Sequence, residues 1–338
     1  MTKILIIYTG GTIGMVNDSQ TGVLIPFDFK QIQQNVPEMA RLNYHLEVHS
    51  FDPILDSSNM NPDIWAKLAR IIERRYAEFD GFVILHGSDT MAYTASALSF
   101  MLENLAKPVV LTGSQLPIGE IRTDAKENFI TALEIAATKK QGKAMVPEVC
   151  IYFDYQLFRG NRAIKYNAES FEAFRTPNYP KLAEAGVHLA FFNNYIKKVP
   201  VAPLKVHTDF NANIGVLKMY PGITIQALQA VTRSAVDAII LETFGSGNTT
   251  TASWFIDCLQ EAINAGKIIV DISQCQVGSV EMGKYETSRK LQQMGVVSGY
   301  DMTFEAAVTK LMYLMGLGLP VAEMASLMSQ SLRGELSA

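Results

Sequence analysis

The sequence predicts an α/β fold, in which an N-terminal domain with a doubly wound, mostly parallel sheet is followed by a second, smaller α/β domain. The chain has 338 residues, a length that suits two domains. Short apolar runs alternate with helical patterns on both sides of an irregular stretch near residues 193–213. Strand–helix alternation with short connections is typical of parallel sheets whose strands are joined by helices.

Five short runs in the first half predict the strands of the larger sheet. They are rich in β-branched and aromatic residues and end at glycine, proline or polar residues. These runs cover residues 3–8, 45–51, 82–86, 108–112 and 149–154. Helical patterns separate several of them, at residues 62–79, 89–105 and 123–140. Asn61 and Pro62 supply a cap and a first helical position for the first of these helices. The arrangement predicted is flavodoxin-like, with helices on both faces of the sheet.

A change in composition marks the predicted boundary between the domains. Lysine, proline and asparagine cluster within residues 193–213, and regular periodicity is lost there. We therefore predict domains at residues 1–192 and 214–338, joined by that linker. In the second domain the sequence predicts strands near residues 214–220, 237–243 and 268–272, and helices near 223–233, 250–265, 303–316 and 321–329.

Composition excludes several classes of function. The chain is 48% hydrophobic and 18% charged, as expected for a soluble protein with a large core. A net charge of −4 argues against a nucleic-acid partner, which requires a concentrated basic surface. No run reaches the roughly 18 apolar residues of a membrane span, so no membrane partner is expected.

The cysteines and histidines predict neither a disulfide framework nor a metal site. Cys150, Cys258 and Cys275 are odd in number and lack CxxC spacing, and the five histidines show no HExxH pattern. The apolar run at residues 4–8 is too short for the core of a signal peptide. We therefore expect a cytoplasmic protein without a metal or a cofactor.

The first segment that carries chemistry follows the first predicted strand. Residues 9–14 read TGGTIG, directly after the apolar run. Two adjacent glycines allow a sharp turn and a close approach to a ligand. Thr12 is therefore expected beyond the carboxyl end of the strand, where open α/β sheets bind ligands. A hydroxyl group there can act as a nucleophile if a base lies within reach.

Three further segments are rich in hydroxyl groups, acids or amines. Their sequences are DSSNM at residues 56–60, HGSDT at residues 86–90 and FRGNRAIK at residues 158–165. Loops that follow neighbouring parallel strands meet at one edge of a sheet. The sequence therefore predicts a site in which hydroxyl groups from two loops lie near an acid and an amine.

Each segment also has an interpretation without chemistry. Hydroxyl groups and glycines are common in turns, acids are common at helix starts, and lysines are mostly solvated. The double glycine could also cradle a phosphate, although neither a GK[ST] ending nor GxGxxG spacing is present. The residues open to these interpretations are Thr9 and Thr12, Ser57 to Asn59, Ser88 and Asp89, Lys165, and Gly10 and Gly11.

The combination of TGGTIG with HGSDT resembles the paired motifs of bacterial-type L-asparaginases. The resemblance extends over nearly the whole chain, through RGNR at residues 159–162, Lys165, Gly247-Asn248 and SLRGEL at residues 331–336. With no signal peptide expected, it points to the cytoplasmic type I branch. The resemblance implies hydrolysis of the side-chain amide of L-asparagine, or of L-glutamine, by a homodimer or homotetramer that uses no metal or cofactor.

The resemblance also implies the roles of the catalytic residues. Thr12 would be the nucleophile that attacks the side-chain amide carbon, giving an acyl-threonine intermediate. Ser88, Asp89 and Lys165 would form a second cluster of hydroxyl, acid and amine on the opposite side of the substrate. These roles agree with general chemistry, since a neutral hydroxyl group needs a base or a chain of proton carriers.

The same resemblance implies how the amino acid would be held. Asp89 would bind the substrate α-ammonium, while Ser57 and Ser58 would bind its α-carboxylate. Asn248 would reach the substrate from a neighbouring subunit. An amino acid zwitterion requires an anion at one end and hydroxyl or N–H donors at the other, and these residues supply both.

Two positions depart from the family pattern. Serine stands at position 88, where the family commonly has threonine, and residues 16–27 contain no tyrosine, with Leu24 roughly at the expected place. These departures leave an alternative, an amino-acid-binding or sensory protein with the same pocket but little turnover. A tRNA-linked amidotransferase subunit is disfavoured, because it normally carries an extra N-terminal domain. We also expect residues 14–26 to form a lid over the substrate.

Overall fold

A computed structural model describes residues 1–17, 24–26, 36–283 and 285–337. The chain divides into two compact units, residues 1–208 and residues 209–338. The division falls inside the stretch from which the sequence predicts a linker. Each unit contains a parallel sheet and its own hydrophobic core.

The first unit is built on a sheet whose described part has eight strands. Five parallel strands are arranged in the order β2-β1-β3-β4-β5, and three antiparallel strands extend the sheet beyond β5 as β6-β7-β8. The strands are β1 (Thr2–Gly10), β2 (Tyr44–Leu55), β3 (Gly81–Leu85), β4 (Val109–Thr112), β5 (Val149–Phe153), β6 (Gln156–Arg159), β7 (Ala183–Ala185) and β8 (Leu189–Phe191). The predicted mostly parallel α/β architecture is therefore confirmed.

The antiparallel extension was not predicted. Strands β5 and β6 form a hairpin whose two turn residues, Asp154 and Tyr155, both have positive φ, at 47° and 63°. Aspartate followed by glycine is a usual signal for such a turn, but here tyrosine takes the place of the glycine. Without the glycine, the sequence gives only a weak sign that the chain reverses direction after β5.

Three helices flank the sheet, α1 (Pro62–Arg75), α2 (Met91–Met101) and α3 (Ala125–Ala137). The predicted start of α1 is confirmed, because the Asn61 side chain accepts a hydrogen bond from the Ile64 N–H at 3.2 Å. All three helices are shorter than their periodicity predicts. A 3-10 turn takes the residues before α2, and a short strand begins directly after it.

Short elements complete the first unit. The 3-10 turns are Thr12–Gly14, Pro37–Arg41, Ser57–Asn59, Ser88–Thr90 and Gly160–Arg162. The strand pairs are Met15–Asn17 with Leu24–Pro26, Leu102–Glu103 with Lys205–Val206, Lys139–Lys140 with Lys143–Ala144, and Ile164–Lys165 with Phe174–Arg175. The predicted lid, residues 14–26, includes residues 18–23, which lie outside the described residues.

The core of the first unit packs one face of the sheet against α3. Ile4 and Ile6 of β1 and Val83 of β3 belong to the same cluster as Phe129 and Leu133 of α3. Both faces of β1 and β3 are covered, which explains why these strands read as nearly continuous apolar runs. A rigid core directly beneath the strand ends gives the loops that follow them a fixed base.

The second unit contains the parallel sheet β9 (Ile214–Lys218), β10 (Ala238–Thr243), β11 (Ile268–Ser273) and β12 (Val297–Ser298), in that order. Its described helices are α4 (Ile225–Thr232), α5 (Ser253–Asn264), α6 (Glu286–Met294), α7 (Phe304–Gly316) and α8 (Val321–Met328). Strand β12 and helix α6 were not predicted, because the first has only two residues and the second is mostly polar. In the described part of the chain, no helix is both long and apolar enough to cross a bilayer.

Candidate active site

Loops from four neighbouring strands line one cavity of about 210 Å³ in the first unit. They follow β1, β2, β3 and β4, whose parallel arrangement brings their carboxyl ends to the same edge. The order β2-β1-β3 places the cavity where the winding of the sheet reverses, which is the usual ligand site of such folds. The lining residues are Gly11, Thr12, Met15, Asp56, Ser57, Gly87, Ser88, Asp89, Gln115, Lys165 and Ala168.

The turn that carries Thr12 touches the turn after β3. Thr12 begins a 3-10 turn directly after Gly11, whose φ is 93°. A Cβ atom on Gly11 would lie only 2.5 Å from the Gly87 nitrogen, so a side chain there would collide with backbone. The double glycine therefore allows the Thr12 loop and the Ser88 loop to lie against each other, whereas the sequence predicted a close approach to a ligand.

Tyr8 supports this turn from below. It is 1% exposed, and its hydroxyl group donates to the Gly14 carbonyl oxygen at 2.9 Å. Burial raises the pKa of Tyr8 to about 12, so its hydroxyl group stays protonated. Because Tyr8 is not among the lining residues, it holds the backbone of the Thr12 turn instead of facing the cavity.

Lys165 joins the second group of predicted residues. Its Nζ lies 2.8 Å from the Ser88 hydroxyl oxygen and 2.6 Å from Oδ1 of Asp89. The Ser88 hydroxyl group in turn lies 3.3 Å from Oε1 of Gln115, to which it donates. Lys165 is 15% exposed and pairs with Phe174 in a short sheet, so the interpretation as a solvated loop lysine is wrong. The amine, the hydroxyl group and the acid form one connected cluster.

The two serines of the loop after β2 have different surroundings. Ser57 is buried and lines the cavity. Ser58 donates both its backbone N–H, at 2.8 Å, and its hydroxyl group, at 2.7 Å, to Oδ1 of Asp56. These hydrogen bonds lower the pKa of Asp56. Ser58 is not among the lining residues, whereas the Asp56 carboxylate is.

A further hydrogen bond ties two of these loops together. The Thr90 hydroxyl group donates to the Ser57 carbonyl oxygen at 2.6 Å. This hydrogen bond fixes the loops after β2 and β3 relative to each other at the cavity.

Asn248 lies in the second unit, in a tight turn after β10. Its backbone forms an antiparallel bridge with Phe244, and the Asn248 N–H donates to the Phe244 carbonyl oxygen at 2.8 Å. Within the first unit, the structure brings together Thr12, Ser57, Ser88, Asp89 and Lys165, whereas Ser58 does not line the cavity.

Sequence reasoning missed Asp56 and Gln115 as site residues. Asp56 lies inside a segment in which only the serines carry the prediction, and its position as the cap of the Ser57–Asn59 turn is the available signal. Gln115 follows β4, whose loop carries no motif. Its side-chain amide also donates to the carbonyl oxygens of Ala168 and Ser170, at 3.2 and 3.0 Å, and so anchors the loop beyond Lys165.

Two motifs of the resemblance support the fold instead of lining the cavity. Arg159 is buried and forms an ion pair with Glu148 at 2.6 Å. In the C-terminal motif, Glu335 forms a fully buried ion pair with Lys310 at 2.6 Å. A buried pair that loses one partner strands the other charge away from water, so these residues fix their surroundings.

The cavity has no evident metal ligands. Within the described ranges, no group of three or more His, Cys, Asp or Glu side chains is arranged to hold a metal ion. The lining residues instead offer three hydroxyl groups, on Thr12, Ser57 and Ser88, together with Lys165 and the acids Asp56 and Asp89. Such a set suits a small polar ligand that carries a positive charge.

The two units match two families of protein domain in turn. Residues 3–197 match the family described as "Asparaginase, N-terminal", and residues 213–328 match "Glutaminase/Asparaginase C-terminal domain". The chain therefore belongs to the asparaginase family, and the resemblance predicted from its motifs is confirmed.

Individual relatives are similar over the whole chain. It is 43% identical to "L-asparaginase 1" of Escherichia coli (strain K12), over 99% of this chain and 98% of the relative. The crystal structure of L-asparaginase I from Vibrio cholerae O1 biovar eltor str. N16961 superposes with a TM-score of 0.91 at 41% identity, covering 100% of this chain and 99% of that one. The "60 kDa lysophospholipase" of Mus musculus is 38% identical over 99% of this chain but 62% of its own length.

Proposed function

We propose that this protein is an L-asparaginase, an amidohydrolase that converts L-asparagine and water to L-aspartate and ammonia. The observation that carries the proposal is the meeting of Thr12 with the Lys165–Ser88–Asp89 cluster in one cavity of about 210 Å³. That volume suits a single amino acid. Family membership supports the same activity.

In the first half of the proposed reaction, Thr12 attacks the substrate. Its hydroxyl oxygen bonds to the side-chain amide carbon, and the amide oxygen takes up negative charge. The C–N bond then breaks as the nitrogen gains a proton, which gives ammonia and an acyl-threonine ester. A neutral hydroxyl group needs help to lose its proton, and the chain of Ser88 and Lys165 offers proton carriers beside the reacting atoms.

In the second half, water attacks the ester carbon and the bond to Thr12 breaks. The proton released by water returns to the Thr12 oxygen, and L-aspartate leaves. The same cluster serves both halves, since a group that gives up a proton in one half can accept it in the other. Asp89 keeps Lys165 in place through the 2.6 Å contact.

The substrate zwitterion fits the charges of the cavity. We assign the α-ammonium to Asp89, whose carboxylate is 68% exposed and lines the cavity. Asp56 adds a second carboxylate, which further favours a cationic group. Of the two serines, Ser57 is placed to donate to the α-carboxylate, whereas the Ser58 hydroxyl group is engaged by Asp56.

We also propose a homodimer or homotetramer in which Asn248 of a neighbouring subunit completes the site. The support is the family resemblance. The same resemblance supports domains at residues 1–192 and 214–338 joined by a linker. A cytoplasmic location is supported by three unpaired cysteines, since secreted proteins commonly pair theirs.

The alternative of a binding or sensory protein is not favoured. A receptor for an amino acid needs charges that hold the two ends of the ligand, but it needs no proton carriers. The contact between Lys165 and the Ser88 hydroxyl group is what a catalyst requires.

Product analysis tests the proposed function. The purified chain is incubated with L-asparagine, L-glutamine or a lysophospholipid, and ammonia, the amino acid product and free fatty acid are measured. We expect ammonia and L-aspartate in equal amounts, and an ester on Thr12 after trapping with a reactive amide analogue, seen by mass spectrometry. Binding of L-asparagine without ammonia release would favour the sensory alternative, and fatty acid release would overturn the assignment of substrate.

A further inference from the structure

His86 lies directly behind the cavity and makes hydrogen bonds through both ring nitrogens. It follows β3 and is fully buried. Its Nδ1 lies 2.6 Å from the Gly87 carbonyl oxygen, and its Nε2 lies 2.9 Å from the Thr94 hydroxyl oxygen. Burial lowers the pKa of His86 to about 4, so the ring is neutral at physiological pH.

The partners of the ring determine its tautomer. A carbonyl oxygen can only accept, so Nδ1 carries the proton and donates to Gly87. Nε2 of the neutral ring must then accept from the Thr94 hydroxyl group. The Thr94 oxygen in turn accepts from Nε1–H of Trp65 at 3.0 Å. The three hydrogen bonds therefore form a chain in which each group donates to the next. Trp65 of α1 donates to Thr94 of α2, Thr94 donates to His86, and His86 donates to the Gly87 carbonyl in the loop at the cavity.

This chain fixes the orientation of the peptide bond between Gly87 and Ser88. Among the described residues the cis peptide is Asp52–Pro53, so the Gly87–Ser88 bond is trans. In a trans peptide the C=O and N–H groups point in opposite directions. Since the Gly87 carbonyl faces the buried ring, the Ser88 N–H faces away from it. Gly87 and Ser88 both line the cavity.

The Ser88 N–H is available as a donor. Ser88 is the first residue of the Ser88–Thr90 turn, and the first amides of a helical turn have no partner within it. The preceding residue offers no side-chain cap, because it is glycine. A Cβ atom on Gly87 would lie 2.6 Å from the Ser57 hydroxyl oxygen, so the cavity requires glycine there.

Glycine at position 87 leaves the orientation of the Gly87–Ser88 peptide poorly restrained. Its backbone can rotate with little steric resistance, so nothing in residue 87 itself holds the peptide in one orientation. A hydrogen bond from a buried, packed ring supplies that restraint. The requirement for glycine and the presence of His86 are therefore two parts of one arrangement.

We infer that His86 is a positioning residue, which through Gly87 turns the Ser88 N–H toward the amide oxygen that gains negative charge during hydrolysis. The inference rests on the proposed function. His86 itself does not touch the substrate, because the Gly87 backbone separates it from the cavity. Fixed N–H donors aimed at developing charge typically change rates by roughly 10²–10³ each, so a misplaced donor has a measurable effect.

Two variants of similar size test the inference. In His86→Asn the side-chain amide nitrogen takes the place of Nδ1 and still donates to Gly87, whereas His86→Leu fills the space without a donor. We expect His86→Leu to lower kcat about 10- to 100-fold while the Kd for L-aspartate changes less than about threefold. His86→Asn should recover kcat to within about fivefold of the wild type.

Crystal structures of both variants provide a readout independent of turnover. The Gly87–Ser88 peptide should be rotated in His86→Leu and unchanged in His86→Asn. Unchanged kcat in His86→Leu, equal losses in both variants, or a loss that falls on L-aspartate affinity would each overturn the inference. If the wild type releases no ammonia, the proposed function fails by itself, while the peptide orientation still decides whether His86 holds the loop.

Discussion

The Lys165 ammonium lies 2.8 Å from the Ser88 hydroxyl oxygen, although the two residues are 77 positions apart in the chain. Ser88 follows a central parallel strand, whereas Lys165 belongs to the short strand pair that follows β6. The β5–β6 hairpin carries the chain back toward the amino ends of the parallel strands, and residues 160–165 then return it, so that Lys165 reaches the cavity. The proposed catalytic cluster therefore depends on a part of the chain whose reversal sequence patterns did not reveal.

Thr12→Ala should abolish turnover and spare binding. Removal of the proposed nucleophile is expected to lower kcat by at least about 10³-fold, because the proposed ester on Thr12 cannot form without its hydroxyl group. The Kd for L-aspartate, measured by calorimetry, should stay within about threefold. Thr12→Ser is the matched control and should keep part of the activity, since it retains the hydroxyl group. Ammonia release by Thr12→Ala at the wild-type rate would remove Thr12 from this role.

Lys165→Met should lower kcat by about 10²- to 10⁴-fold, the usual contribution of a positioned proton carrier. Methionine keeps most of the length of the side chain and removes both the charge and the hydrogen bonds to Ser88 and Asp89. Lys181→Met is a suitable control, because Lys181 also pairs with an acid, Glu184, at 2.9 Å, but outside the cavity. Steady-state kinetics should separate the two variants. Equal activities would show that Lys165 only supports the fold.

Ser57→Ala and Ser58→Ala should differ, because Ser57 lines the cavity while the Ser58 hydroxyl group is held by Asp56. A hydrogen bond to a charged group is worth about 1.5–3 kcal/mol. We therefore expect KM for L-asparagine to rise about 10-fold or more in Ser57→Ala and to change less than about threefold in Ser58→Ala. A larger increase in Ser58→Ala would instead support the role that the family resemblance implies for both serines.

The predictable part of the fold is the part with repeated local signals. Strands β1 and β3 are buried on both faces and stand out as apolar runs, and α1 begins at an asparagine cap followed by proline. Strands β7, β8 and β12 have only two or three residues each and depend on pairing with distant segments. No window of sequence contains the information that pairs them.

The predictable part of the site is the part with distinctive motifs. Thr12 and Ser88 were found because each lies in a glycine-containing turn directly after a buried strand. Asp56 and Gln115 were missed because their importance comes from where the loops meet, which only the three-dimensional arrangement shows. The role of His86 likewise depends on contacts with Thr94 and Gly87 that no spacing rule predicts.

Stability should fall with rising pH through Asp271, a fully buried carboxyl group at β11. Its Oδ1 accepts a hydrogen bond from the Thr243 hydroxyl group at 2.7 Å, and its Oδ2 has no partner among the described residues. Burial raises the pKa of Asp271 from 3.8 to about 7. Between these pH values the unfolded chain has lost the proton that the folded protein keeps. The free energy of unfolding should therefore decrease between about pH 4 and 7, by on the order of 4 kcal/mol, and then level off.

Asp271→Asn tests this prediction, because asparagine cannot ionise. The free energy of unfolding of the variant minus that of the wild type should increase as the pH is raised from 5 to 8. Denaturant titrations at several pH values measure this difference. Asp257→Asn is the control, since Asp257 is an exposed residue of α5 and its substitution should shift stability little at any pH. A difference between Asp271→Asn and the wild type that stays constant with pH would show that Asp271 is already ionised in the folded protein, and that an unidentified group compensates its charge.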